Sequence, residues 1–162
     1  MASGDSLLTL LPYNNEPPTA LYATLDTRNQ HPVLDHALTE ISIFTAVMPR
    51  AYSGGGVTVY LHYAMTSAVA NDINLETSFE RIGDQQQDLD ADGFAAAQNT
   101  GDITVPGTSG LVDIVNTTHT DGGQMDSIAV GESFRLMVER VAVAGTDATG
   151  DLELVAVEIK ET

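Results

Sequence analysis

The segment Asp88-Leu89-Asp90-Ala91-Asp92-Gly93 is the sharpest candidate for chemistry in this chain of 162 residues. Carboxylates at alternate positions ahead of a glycine open a calcium loop: oxygens at the first, third and fifth places surround the ion, and glycine permits the turn. The twelfth place, where a bidentate Glu belongs, is Asn99, and no helical pattern flanks the loop. Asp84 could add a ligand. Asp88, Asp90 and Asp92 therefore stand as metal-ligand candidates against a simpler reading as a solvated acidic loop.

Other chemistries find fewer residues. A cupin-type metal site needs two histidines close together on one strand with a Glu nearby. Here His62 stands alone on the outward parity of its strand, while His31 and His36 flank a proline-bearing turn; with His119 they read as surface or loop histidines. The stretch Gly107-Thr108-Ser109-Gly110 lacks the spacing and the strand-to-helix context of a nucleophile elbow. There is no cysteine, so thiolate metal sites, disulfides and a cysteine nucleophile are excluded. Acid pairs for glycoside hydrolysis are plentiful among 23 carboxylates, but the aromatic platforms of a sugar cleft lack any Trp. The expectation is a protein that is not an enzyme and needs no cofactor. Loops around Tyr13, Tyr52 or Tyr60 offer the alternative of carbohydrate binding. Asn116-Thr117-Thr118 is a glycosylation sequon with meaning only on a secreted eukaryotic protein.

The elements that carry these residues read as strands. Val57, Val59, Leu61, Tyr63 and Met65 fall on one face of a ten-residue alternation, as a half-buried strand requires. Ile73, Leu75 and Phe79 alternate with Glu76 and Glu80, and Phe134, Leu136 and Val138 with Arg135, Met137 and Glu139. The parity then flips to Val141 and Val143, which predicts a bulge near Arg140. Arg135 and Arg140 either pair with acids such as Asp147 or Asp151 across the last loop or are simply exposed at the surface. In the last strand Val155, Val157 and Ile159 should face inward. Ile41, Ile43 and Val47 oppose Phe44, Ala46 and Met48, a two-sided apolarity that predicts cover on both faces, as by a second subunit. Gly-, Asp- and Thr-rich loops separate these runs and no long helix is evident. The prediction is all-β: a jelly-roll sandwich of about eight antiparallel strands over residues 20–162, with an immunoglobulin-like sandwich as the other option. Residues 1–19 form an extended N-terminal arm. Its apolar run offers Leu7, Leu8, Leu10, Leu11 and Tyr13 to a partner or to the base of the domain, and an arm ordered from Met1 implies docking on a neighbour.

The formal charge of −17 sets 23 acidic residues against six basic ones. Phosphate backbones and anionic membrane surfaces are bound through clustered Lys and Arg, so neither nucleic acid nor membrane is an expected partner. A basic patch on another protein is. Asp-rich, Lys-poor composition also fits life at high salt. No apolar run approaches the ~20 residues that span a bilayer, and Met1-Ala2-Ser3-Gly4-Asp5 lacks the positive start of a secretory signal.

Three stretches bear a resemblance. They are Met48-Pro49-Arg50-Ala51-Tyr52-Ser53-Gly54-Gly55-Gly56-Val57-Thr58-Val59, Ser127-Ile128-Ala129-Val130-Gly131-Glu132-Ser133-Phe134-Arg135-Leu136, and Val138-Glu139-Arg140-Val141 through Asp147 to Gly150-Asp151-Leu152-Glu153-Leu154. Over residues 20–160 the chain resembles small jelly-roll virion structural proteins of tailed bacteriophages, although a tryptophan often found after the glycine-led strand is absent. The resemblance implies a capsid decoration, or cement, protein: a homotrimer made in the host cytoplasm and bound to the major capsid protein on the outer capsid surface. Head fibre base, vertex knob and tail component are its variants.

Overall fold

The computed structural model describes residues 4–162. Along the chain run β1 (Ser6–Leu10), β2 (Thr24–Arg28), β3 (His31–His36), β4 (Ile41–Val47), β5 (Val57–Met65), β6 (Asp72–Ile82), β7 (Gln98–Asn99), β8 (Ile103–Thr104), β9 (Asp113–His119), β10 (Ser133–Val141) and β11 (Leu152–Glu161). One sheet has the order β2-β3-β11-β5-β9 with β1 added to β11; the other runs β4-β10-β6-β7 with β8 on β6. Two short 3-10 turns, at Pro12–Asn14 and Gly123–Met125, are the helical pieces among the described residues. The expected all-β jelly-roll sandwich is the observed fold. It has three strands more than the eight expected: β1 lies in the stretch expected to be an arm, and β7 and β8 are only two residues long and escape any periodicity.

The core follows from period two. Val57, Val59, Leu61, Tyr63 and Met65 of β5 are all at most 1% exposed. They meet Ile73, Leu75 and Phe79 of β6 and Phe134, Leu136 and Val138 of β10, all fully buried. The rings of Phe79 and Phe134 lie 5.5 Å apart at the centre. Each such side chain contributes about 1.5–3 kcal/mol by leaving water.

Four expectations meet the structure here. First, of the two uses expected of the apolar run, the base of the domain is the one seen: β1 pairs antiparallel with β11, Leu10 is buried, and Leu7 and Leu8 pack on the core. A ladder partner and about 0.8 kcal/mol per buried CH₂ outweigh leaving leucines in water. Docking of Met1 on a neighbour lies outside the described residues. Second, the two-sided apolarity of β4 sits beside a free edge that this same chain meets. The N–H of Glu16 donates to Ile43 O, that of Ala23 to Ile41 O, and Ile41 N–H to Leu21 O. Unpaired strand edges invite foreign pairing, and these bonds cover this one.

Third, β10 has no bulge: it pairs without a register break to both neighbours. Arg140 instead points inward, 2% exposed, and donates to the carbonyls of His36, Ala148 and Gly150. Arg135 pairs with Glu80 at 2.9 Å and lies over the Phe94 ring. Fourth, the bulge sits in β11, where the register to β5 shifts between Leu154 and Ala156. Leu152 and Leu154 are buried on one side of it and Val157 and Ile159 on the other, so Val155 is only half-buried.

Candidate functional site

Between β1 and β2, both in the same sheet, the chain crosses to the edge of the other sheet, bridges β4 at Asn15 and Tyr22, and returns. Pro12 starts a 3-10 turn whose N-cap N–H, on Leu11, donates to Asn14 Oδ1 at 2.8 Å. The turn lifts Tyr13 into solvent, 69% exposed. Pro17 and Pro18 fix the backbone as extended, and the chain returns along β4 through Tyr22, which bridges Ile41. Leu21 is left-handed with φ 54°, and the residue after it, Tyr22 (49% exposed), lines one cleft together with Tyr13. The cleft has a volume of about 240 Å³, and Pro12, Asn15, Pro17, Thr24 and Leu25 complete its walls. Asn15 accepts the Ile43 N–H at 3.0 Å through Oδ1, so its amide N–H₂ remains available as a donor.

The other three tyrosines are spoken for. Tyr52 is buried, donates to Asp121 Oδ1 at 2.8 Å and is pushed up to about 12 by burial. Tyr63 is fully buried beside Asp113, and burial raises its phenol above the usual range. Tyr60, on the outer face of β5, is covered by Lys160 with the ammonium 5.1 Å from the ring centre. Both exposed tyrosines of the chain thus line the same cleft.

There are further depressions. A groove of about 420 Å³ on the outer face of the first sheet is lined by Val33, Ala64 and Val155, by Arg28 and His31, and by the buried Glu153. Arg28 is ion-paired with Glu153 and donates to Met65 O at 2.8 Å. A pocket of about 360 Å³ at one end lies between Tyr52, Ser53 and Asp121 on one side and Ser127, Ile128 and Val130 on the other.

The acidic loop carries its candidate carboxylates in turns of its own backbone. Asp92 Oδ2 accepts the N–H of Asp88 at 2.8 Å, and Asp88 Oδ1 accepts that of Asp90 at 3.0 Å. These carboxylates close turns in exposed backbone, and among the described residues no group of three His, Asp or Glu side chains is placed to hold a metal. His36 and His119 are not surface residues. His36 is fully buried against Ser42 Oγ (3.0 Å) and Leu34 O (3.1 Å). His119 is fully buried against Thr77 Oγ1 at 2.8 Å, with Phe79 edge-on. Burial lowers both to about 4. Of the five partner-binding candidates, Leu7, Leu8 and Leu10 are used internally while Leu11 and Tyr13 face water. Tyr22 was missed, since a short strand pattern over Leu21 to Leu25 gives no reason to single it out.

No protein family matches the sequence, and no curated protein matches it. Solved structures do. The chain is similar to the xylan-binding module CBM15, with a TM-score of 0.54 at 9% identity over 96% of this chain and 97% of that one. It is equally similar to the carbohydrate-binding module CBM6cm-2 of Cellvibrio mixtus lichenase 5A, in complex with cellotriose, with a TM-score of 0.53 at 11% identity over 98% and 99%. At such identity the likeness is one of fold.

Proposed function

We propose that this chain is a non-catalytic carbohydrate-binding β-sandwich that seats a sugar in the Tyr13–Tyr22 cleft. The observation that carries the reading is the placement of both exposed tyrosines at one cleft in a chain with only nine Phe and Tyr residues. A pyranose ring has C–H-rich faces that lie flat on an aromatic ring, and hydroxyls that need donors and acceptors at the edge. Tyr supplies both in one rigid side chain, and Asn15 and Thr24 add the amide and hydroxyl that orient a ligand. The two fold neighbours, named as xylan-binding and as a complex with cellotriose, support the same direction. A glycan array probed with the intact protein and with Tyr13→Ala/Tyr22→Ala tests it. Signals lost in the variant are expected; signals unchanged in it remove the site.

A second reading is favoured by Leu25 in the cleft wall, 48% exposed, and by Leu11 and Leu21, 49% and 61% exposed and each next in sequence to a wall residue. Apolar residues gathered in this way commonly mark protein contacts. On this reading the chain is a trimeric decoration protein of a phage head and the patch seats the major capsid protein. A blank array together with retention on genome-emptied heads, abolished by Leu11→Ser and Leu25→Ser, would favour it.

A further inference from the structure

We infer that the Tyr13–Tyr22 cleft is a site for uncharged glycans, an inference that rests on the carbohydrate reading above. The ground is the chemistry of its wall. In a chain whose residues are 18% charged, none of the side chains lining this cleft carries a charge. The acids that neighbour it in sequence are engaged elsewhere: Glu16 accepts the Thr45 hydroxyl at 2.8 Å, and Asp26 accepts the N–H of Thr27 at 2.7 Å. Within the cleft, polar capacity comes from groups that suit hydroxyls, the free N–H₂ of Asn15, the Thr24 hydroxyl and the two phenols.

A uronate or sulfated sugar would meet no cation here. It would also approach a protein of net charge −17, so its carboxylate would lose water without gaining a partner. A cationic amino sugar would be drawn by the long-range field but would find no carboxylate inside with which to pair. Only a neutral ring exchanges its hydration for contacts that the cleft supplies: apolar faces on Tyr13, Tyr22, Leu25 and the prolines, hydroxyls on Asn15 and Thr24.

Calorimetry on the intact protein with four probes tests this: xylotriose, cellotriose, trigalacturonate and the chitosan trimer. The expected result is binding of at least one neutral trisaccharide, weakened about tenfold in Tyr13→Ala and in Tyr22→Ala, the loss that removing a stacked ring implies. That affinity should change less than about twofold between low salt and about 0.5 M sodium chloride, because no ion pair is there to be screened. Binding of trigalacturonate or of the chitosan trimer that depends on Tyr13 overturns the inference and leaves the carbohydrate reading standing. Neutral binding indifferent to both tyrosines overturns the site. A blank with all four overturns both.

Discussion

Asp35 and Glu153 stand directly opposite each other on β3 and β11, two carboxylates in one cross-strand pair. Arg28 engages Glu153, while one oxygen of Asp35 is buried without a partner. Burial, then the charges of Glu153, Asp26 and Asp151, push Asp35 up from 3.8 to about 6. The folded state therefore holds a proton that the unfolded chain has released, and stability falls as pH rises from about 4 through 6. After allowance for solvent screening at this partly open site the penalty above pH 6 is about 1 kcal/mol. Asp35→Asn should raise the unfolding temperature by about 2–4 °C at pH 7.5, with the gain gone below about pH 4. Thermal melts of both proteins across that range check it; an equal effect at every pH would refute a protonation origin.

His36 and His119 act with the opposite sign. Burial lowers each to about 4, and the nearby Arg140 adds to the effect at His36. Between about 6.5 and 4 the unfolded chain takes protons that the folded imidazoles refuse, so stability is lost as pH falls through that window. The ceiling is on the order of 3 kcal/mol per histidine. Two such groups outweigh the single Asp35, so acid should destabilise the protein overall. Imidazole resonances that stay in the neutral form down to about pH 5 are expected; titration of either ring near 6.5 would contradict the burial argument.

The Tyr52 hydroxyl donates to Asp121 and accepts the N–H of Gly56 at 2.9 Å, tying the glycine loop to the loop after β9. Tyr52→Phe keeps the ring packed but strands the Gly56 N–H in a buried place, while the exposed Asp121 returns to water. A loss of about 1–3 kcal/mol is expected, read as a lower urea midpoint with faster hydrogen exchange at Gly56. Unchanged exchange there would mean that the loop is held by packing alone.

The strand faces of this fold were legible because β10 throughout, β5 as far as Tyr63 and β6 as far as Thr77 bury one parity, and period two survives any choice of partner. The breaks were not. Val155 is as apolar as its neighbours, and the bulge that turns it outward arises where β11 leaves β3 after Leu154 and takes up β1 from Val157. Such a change of partner has no local periodicity. Arg140 misled for a related reason: a buried guanidinium that satisfies three carbonyls keeps the parity of β10, yet in sequence it resembles a polar interruption. His36 shares the inward parity of Leu34, but Pro32 argued for a loop. It is tolerated because β11 pairs only with residues 34–36 of β3, leaving Pro32 a free side. Tyr13 could be found as an exposed aromatic in an apolar run. Its partner Tyr22 could not, since their meeting depends on how the chain closes back along β4.

Gly150, in the turn before β11, is fixed by geometry on two counts. Its φ is 78°, a left-handed value that costs an L-residue about 1 kcal/mol or more. A Cβ there would also lie 2.4 Å from Ser67 Oγ and 2.7 Å from Thr66 Oγ1. Thr66 cannot yield easily, because its hydroxyl accepts the Asp151 N–H at 2.9 Å and its N–H donates to Asp151 O. Gly150 O in turn receives a bond from the buried Arg140. Gly150→Ala should therefore destabilise by about 2–4 kcal/mol, in the range where strain and a disturbed buried network combine. The companion Gly145→Ala, which meets nothing within 4 Å and has no left-handed φ, should stay within about 0.5 kcal/mol of the parent. Urea denaturation of the pair makes the comparison internal: similar midpoints for the two variants would show that the turn relaxes, and that the Thr66 to Asp151 clasp does not hold it.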